Sequence, residues 1–269
     1  MWRLATLTSL VLAPMWASAS DLPRVVSVNA CTDQLVMLLA DPGQVISLSQ
    51  LSDDPRASVL TETARQFSKN NGQAESIAVD NPDVVVANVY DDPSLIGLLR
   101  AIGIEVVQFP VTTALSDIPD EIRMMGDILK QQARADEIAS DLERDLAALT
   151  EPDDTAPLAA FFFPNGYALG AGTLSHDIVT AAGARNLSVE LGFQGNGTLS
   201  LEQVILNQPD LLIGARPFDG FSLSENMATH PALSAFPVLN TSVDWVCGTP
   251  FVMRAVSEVA DRITDLRRD

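Results

Sequence analysis

Glu75-Ser-Ile-Ala-Val-Asp-Asn-Pro82-Asp83-Val-Val-Val-Ala87 is answered later in the chain by Glu202-Gln-Val-Ile-Leu-Asn-Gln-Pro209-Asp210-Leu-Leu-Ile-Gly214. Each phrase opens on a Glu at the head of a short amphipathic helix. Seven positions on, at Pro82 or Pro209, a Pro-Asp pair stops it. Proline does so because it has no N–H and turns its predecessor away from the right-handed α region. The runs 84–86 and 211–213 that follow are apolar without alternation, the pattern of a strand buried on both faces of a parallel sheet. One helix-then-buried-strand phrase, used twice at identical spacing, predicts two similar α/β lobes.

The flanking sequence extends both halves in the same way. Strands are expected over 24–28, 45–48, 84–88 and 104–109, with helices over 33–40 and 93–101 between them. The second half restarts with strands over 158–163, 211–215 and 241–246, and ends in a helix opened by Pro250. Strands alternating with helices give parallel sheets with helices on their faces. Between the halves, Ile118, Ile122, Met125 and Leu129, then Ile138, Leu142, Leu146 and Leu149, keep three-and-four spacing. That spacing predicts one long interlobe helix over 117–150, with a stumble at 130–133 that would split it. The fold class expected is therefore α/β, two Rossmann-like lobes with parallel sheets joined by a long helix. The domains would be 20–116, 117–150 and 151–269.

Composition narrows the function. The 269 residues carry a formal charge of −19, and Lys69 and Lys130 are the only lysines. Such a surface argues against nucleic acid and anionic membranes as partners. Residues 1–19 read as a secretory signal: Arg3, a short apolar core over 4–15, and the Ala17-Ser18-Ala19 cleavage pattern. Cys31 stands too far from that core to be a lipid anchor, so export without an anchor, to the periplasm, is expected. An oxidising compartment permits a disulfide between Cys31 and Cys247, which would staple the lobes; two buried free thiols are the alternative.

In parallel α/β sheets, ligands gather at the carboxyl ends of the strands. That rule selects loops at 29–32, 88–91, 109–112, 164–173, 215–220 and 245–249. Their candidate ligand contacts are Cys31, Tyr90, Phe109, Tyr167, Arg216, Phe218 and Trp245, a set suited to a bulky, partly apolar solute. Enzyme signatures are poor. Gly170-Ala-Gly172 lacks the third glycine of a dinucleotide loop, no Gly-x-Ser-x-Gly elbow occurs, and His176 and His230 are the only histidines. Neither a catalytic set nor a bare-metal site is expected, and no intrinsic cofactor. An exported hydrolase would have to use Asp33, Asp177 or Asp244.

Taken together, the chain resembles the periplasmic binding proteins for iron complexes and cobalamin that serve ABC importers. The resemblance is carried by Arg24-Val-Val-Ser-Val28, both Glu-to-Pro-Asp phrases, Leu99-Arg-Ala-Ile-Gly-Ile-Glu-Val106 and Ala181-Ala-Gly-Ala-Arg-Asn186. It implies a monomeric carrier that passes its solute to a permease dimer with its ATPase. It also implies that Glu75 and Glu202 dock on permease arginines, and that the lobes close by only a small rotation. The implied ligand is a ferric siderophore or a cobalamin-like corrinoid. Haem-binding relatives use a His or Tyr ligand, so Tyr90 and Tyr167 keep haem open. A sensor for a membrane receptor would keep the cleft and lose the permease.

Overall fold

A computed structural model describes residues 22–216, 224 and 230–268; the leader read over 1–19 and Phe218 lie outside them. The first half runs β1 (Val25–Ser27), α1 (Ala30–Leu39), β2 (Val45–Leu48), α2 (Thr61–Ala64), β3 (Ser68–Lys69), α3 (Ala74–Val79), β4 (Val84–Asn88), α4 (Pro93–Ala101) and β5 (Glu105–Phe109). Two helices follow, α5 (Ile118–Leu129) and α6 (Gln132–Ala147). The second half contains β6 (Leu158–Phe161), β7 (Tyr167–Leu169), α7 (Leu174–Ala181), β8 (Arg185–Asn186), α8 (Leu187–Glu190) and β9 (Asn196–Thr198). It continues with α9 (Leu201–Asn207), β10 (Leu211–Gly214), β11 (Val238–Asn240) and α10 (Val252–Leu266).

Two parallel sheets result, ordered β3-β2-β1-β4-β5 and β11-β10-β6-β8, with β7 and β9 forming a separate antiparallel pair. Reading β2-β1-β4-β5 against β8-β6-β10-β11 superposes the two repeated phrases, β4 on β10. The likeness extends to single hydrogen bonds. Asp83 takes the Arg24 amide on its carboxylate at 2.7 Å and gives its own N–H to the Arg24 carbonyl. Asp210 does the same with Leu158, also at 2.7 Å. Each Pro-Asp pair thus stitches the end of a helix to the start of its lobe's central strand. The residues before the prolines, Asn81 and Gln208, both sit at φ 46°, in the left-handed region.

The stretch read as one rod is two helices. Lys130, at φ 57°, ends α5 in a left-handed cap. Arg123 then reaches Glu143, twenty residues on, at 2.7 Å. Collinear helices would hold those residues about 30 Å apart at 1.5 Å per residue, so α6 doubles back along α5. The pair packs closely because Gly126 faces Ala135, where any β-carbon would strike the alanine methyl. Gln131 and Arg134 anchor the start of α6 to Gln44, Asp41 and the Leu39 carbonyl of the first lobe. The crossing therefore falls to α6, about 24 Å long from its sixteen residues. Apolar packing is continuous through both lobes, from Val25 and Leu39 through Met125 and Leu142 to Ile178 and Val259. Among the described residues, no helix is long and apolar enough to cross a membrane.

Two expected elements shift. The segment 241–246 is not a strand: Ser242 accepts the Asp244 amide and starts a 3-10 turn over Val243–Trp245, while the edge strand lies earlier, at β11. Helix α1 starts at Ala30 rather than 33, because the Asn29 side chain caps it by accepting from the Cys31 amide.

Candidate functional site

The carboxyl ends of both sheets converge, and three ties hold them. The first is covalent. Cys31, in the first turn of α1, and Cys247, after the 3-10 turn that follows β11, form a disulfide with Cα atoms 5.2 Å apart. The second is polar: the Asp177 carboxylate at the head of α7 accepts the Leu115 amide at 3.0 Å. The third crosses nearer the mouth, where Arg216, just past β10, donates to the Pro55 carbonyl at 3.2 Å. Beside it, hydrogen bonds from Arg56, helped by the Arg56 and Arg216 charges, hold the Asp54 carboxyl down to about 2.

Below the mouth the seam is tight. Gly248 lies against Thr112, and a β-carbon at 248 would overlap that side chain. The Thr112 hydroxyl in turn donates to Glu121, 3.0 and 2.9 Å from its two oxygens. Glu121 is only 6% exposed. Burial pushes its carboxyl up to about 7, with Thr112 pulling the other way and the Asp117 charge adding to the rise. The cavity here, bounded by Cys31, Asn88, Phe109, Leu174 and Val246, is about 90 Å³. That is well below the volume of a drug-sized ligand site. A bulky solute would not fit inside it.

The loops above the seam are braced from within. Asn29 donates to Asp91 at 3.0 Å, and Asp91 accepts the Asn88 amide at 2.6 Å. The Asn88 side chain caps the Tyr90 amide and donates to the Pro110 carbonyl, so the loops after β1, β4 and β5 move as one. From this frame Leu51, Val89, Tyr90 and Val111 stand exposed on the first lobe, and Tyr167 and Val246 on the second. Tyr90 is 84% exposed, and Tyr167 stacks on Phe163 with centroids 6.3 Å apart.

The sequence-derived contacts therefore divide. Cys31 lines the seam cavity, Tyr90 and Tyr167 are exposed, and Arg216 reaches across to Pro55. Phe109 does not project into it: at 2% exposure it belongs to the core and offers only an edge to the seam cavity. Trp245 is buried as well. It packs edge-on against Phe161, 6.3 Å between centroids, and its indole N–H donates to Glu258. Both rings are buried in their lobes' packing. Sequence reasoning passed over Glu121 and Thr112, although a carboxylate at 121, three past Ile118 and four before Met125, stands on the buried stripe of α5. Leu51, outside the selected loops, carried no signal.

Other titratable groups have structural employment. Asp33 is fully buried, accepts the Ser49 amide and hydroxyl, and is raised by burial to about 6. Asp244 pairs with Arg254 at the start of α10. His230 caps a 3-10 turn through Nδ1, and His176 Nδ1 lies 3.4 Å from the Asn186 amide nitrogen. No group of three or more His, Cys, Asp or Glu suited to a metal occurs among the described residues. Glu75 and Glu202 are exposed, each in the first turn of its helix. The two acids thus hold equivalent places in the duplicated phrase.

Comparison with known proteins agrees with this architecture. The family described as periplasmic binding protein matches residues 25–241. A cobalamin-binding protein of Halobacterium salinarum is 26% identical over 80% of the chain, which spans 58% of that relative's length. A vitamin B12-binding protein of Vibrio parahaemolyticus is 23% identical, covering 91% of this chain and 90% of its own. Among solved structures, the apo periplasmic heme-binding protein RhuT of Roseiflexus sp. RS-1 superposes with a TM-score of 0.71 at 19% identity, over 91% of this chain and 98% of that one.

Proposed function

This chain belongs to the periplasmic binding protein family, and we propose that it carries a bulky, near-neutral metal chelate between its lobes in the periplasm. A cobalamin-like corrinoid is favoured, with a ferric siderophore next. The chain releases its solute unchanged to an ABC permease dimer with its ATPase, and works as a monomer. The observation that carries this reading is the rim. Six large apolar side chains stand exposed on both lobes, against Arg216, which crosses from the second lobe to the first, and Arg56, whose charge is paired with Asp54. Exposed apolar surface gathered around a cleft marks a binding site. So little positive charge suits a neutral chelate better than a multiply anionic one. Sequence relatives named for cobalamin binding support the same choice.

Haem is the second reading, favoured by the exposed phenols of Tyr90 and Tyr167. An exported hydrolase is the weaker alternative, because Asp33, Asp177 and Asp244 each serve backbone or arginine partners. Glu75 and Glu202, repeated on two like surfaces, suit a two-fold permease, where complementary charge sets encounter rate and register. Calorimetric titration with aquocobalamin, a ferric hydroxamate and haemin tests the ligand. Saturable one-to-one binding of aquocobalamin is expected; uptake of haemin alone, with a shifted Soret band, would move the assignment to haem.

A further inference from the structure

We propose that each docking glutamate works with a bare aliphatic side chain one helical turn along, Glu75 with Val79 and Glu202 with Leu206, and that the permease meets both. The proposal rests on the docking reading above and adds the second half of each contact. Val79 is 85% exposed and Leu206 80%, while the next most exposed aliphatics among the described residues, Leu51 and Ile102, are at 52%. The two barest aliphatic side chains therefore fall at the same place in a duplicated phrase, four residues after the same acid. Residues four apart share one face of a helix. The opposite faces, Ala74 and Ile77 on α3 and Val204 on α9, fill the lobes' cores, so neither Val79 nor Leu206 is spare core packing.

The partner this fits is a two-fold membrane protein that presents, twice, a cation beside an apolar hollow about one helical turn away. The division of labour follows from physics. Charges steer the encounter and are screened by salt, whereas a desolvated aliphatic knob slows dissociation.

The test is binding kinetics on the cognate permease–ATPase complex in lipid nanodiscs, at low and high salt, with and without aquocobalamin. V79S/L206S should dissociate at least about tenfold faster while its association rate keeps the wild-type salt dependence, since burying one such side chain carries roughly that weight. E75Q/E202Q should associate more slowly and lose most of that salt dependence. V79S and L206S alone should give similar partial effects. If the glutamine pair fails while the serine pair behaves as wild type, the aliphatic half is wrong and the docking reading stands. If neither pair changes the kinetics, docking at these helices is wrong as well. Unchanged far-UV circular dichroism and ligand titration would show that the surface variants are folded.

Discussion

Replacing Glu121 by Gln should make the protein more stable at pH 8 than at pH 5 relative to wild type. The carboxyl is held near 7 by burial, against an ordinary 4.5. Between those values the folded chain keeps a proton that the unfolded chain has released. Stability is therefore intact below about pH 4.5 and declines as pH rises through 7. A shift of that size corresponds to about 3 kcal/mol at most, at about 1.4 kcal/mol per pH unit. Glu121 also borders a surface hollow lined by Val111, Asp120 and Met124, so solvent screening brings the expected effect to roughly 2 kcal/mol. Glutamine removes the ionisation and keeps an oxygen for the Thr112 hydroxyl. Asp33, raised from 3.8 to about 6, contributes with the same sign, and D33N separates the two. Asp54, held near 2, changes stability only below about pH 4, outside the window. Denaturant unfolding at pH 5, 6, 7 and 8 gives the curves, with the denaturant slope checking that the unfolded state is unchanged. Parallel curves for wild type and E121Q would refute the claim that this carboxylate is buried at the cost of its charge.

Unfolding without reductant should expose no reactive thiol, because Cys31 and Cys247 are bridged; two titrating thiols would contradict the covalent tie. C31S/C247S should lower stability by up to about 5 kcal/mol, the chain-entropy value for a loop of 216 residues. D83A and D210A should each cost about 1–3 kcal/mol by stranding a strand-initiating amide. D210A should be the worse, since the Leu158 amide it abandons is buried and that of Arg24 is exposed. Equal losses would mean that the stitch matters less than its surroundings.

The duplicated phrase was legible because every part of it acts locally. A proline stops a helix wherever it stands, and an unbroken apolar run needs a strand covered on both faces. That Asp83 and Asp210 follow the prolines for a reason, to clamp the neighbouring strand, needed coordinates. Their partners are 59 and 52 residues away. The stripe over 118–129 is buried, whereas beyond it only Leu142 of the stripe is, with Ile138, Leu146 and Leu149 half-buried and Ala135 and Ala139 filling the tight face of α6; the stumble at 130–133 is visible in the sequence. Whether a broken helix continues or folds back is not written in its period. Here Lys130 in the left-handed region and Gly126 opposite Ala135 decide for folding back.

The rim shows why strand-end loops identify a site better than residue types do. The rule selects loops at the carboxyl ends of the sheets but assumes that their largest rings are the exposed ones. Phe109 and Trp245 turned inward because each closes a core, whereas Val89, Val111 and Val246 in the same loops are left bare. A side chain that ends a buried strand inherits that strand's alternation, so Phe109 at the end of β5 faces the same core as Val86 and Leu115, while Val106, three residues earlier, faces the core on the other side of the sheet. The three interlobe ties are long-range. Cys31 with Cys247, Asp177 with Leu115 and Arg216 with Pro55 join points 216, 62 and 161 residues apart. Only the first uses a residue type rare enough to be paired on paper. On the carrier reading proposed above, the Arg216–Pro55 bond is, among the ties formed by the described residues, the one that a solute entering between the lobes would have to displace or share.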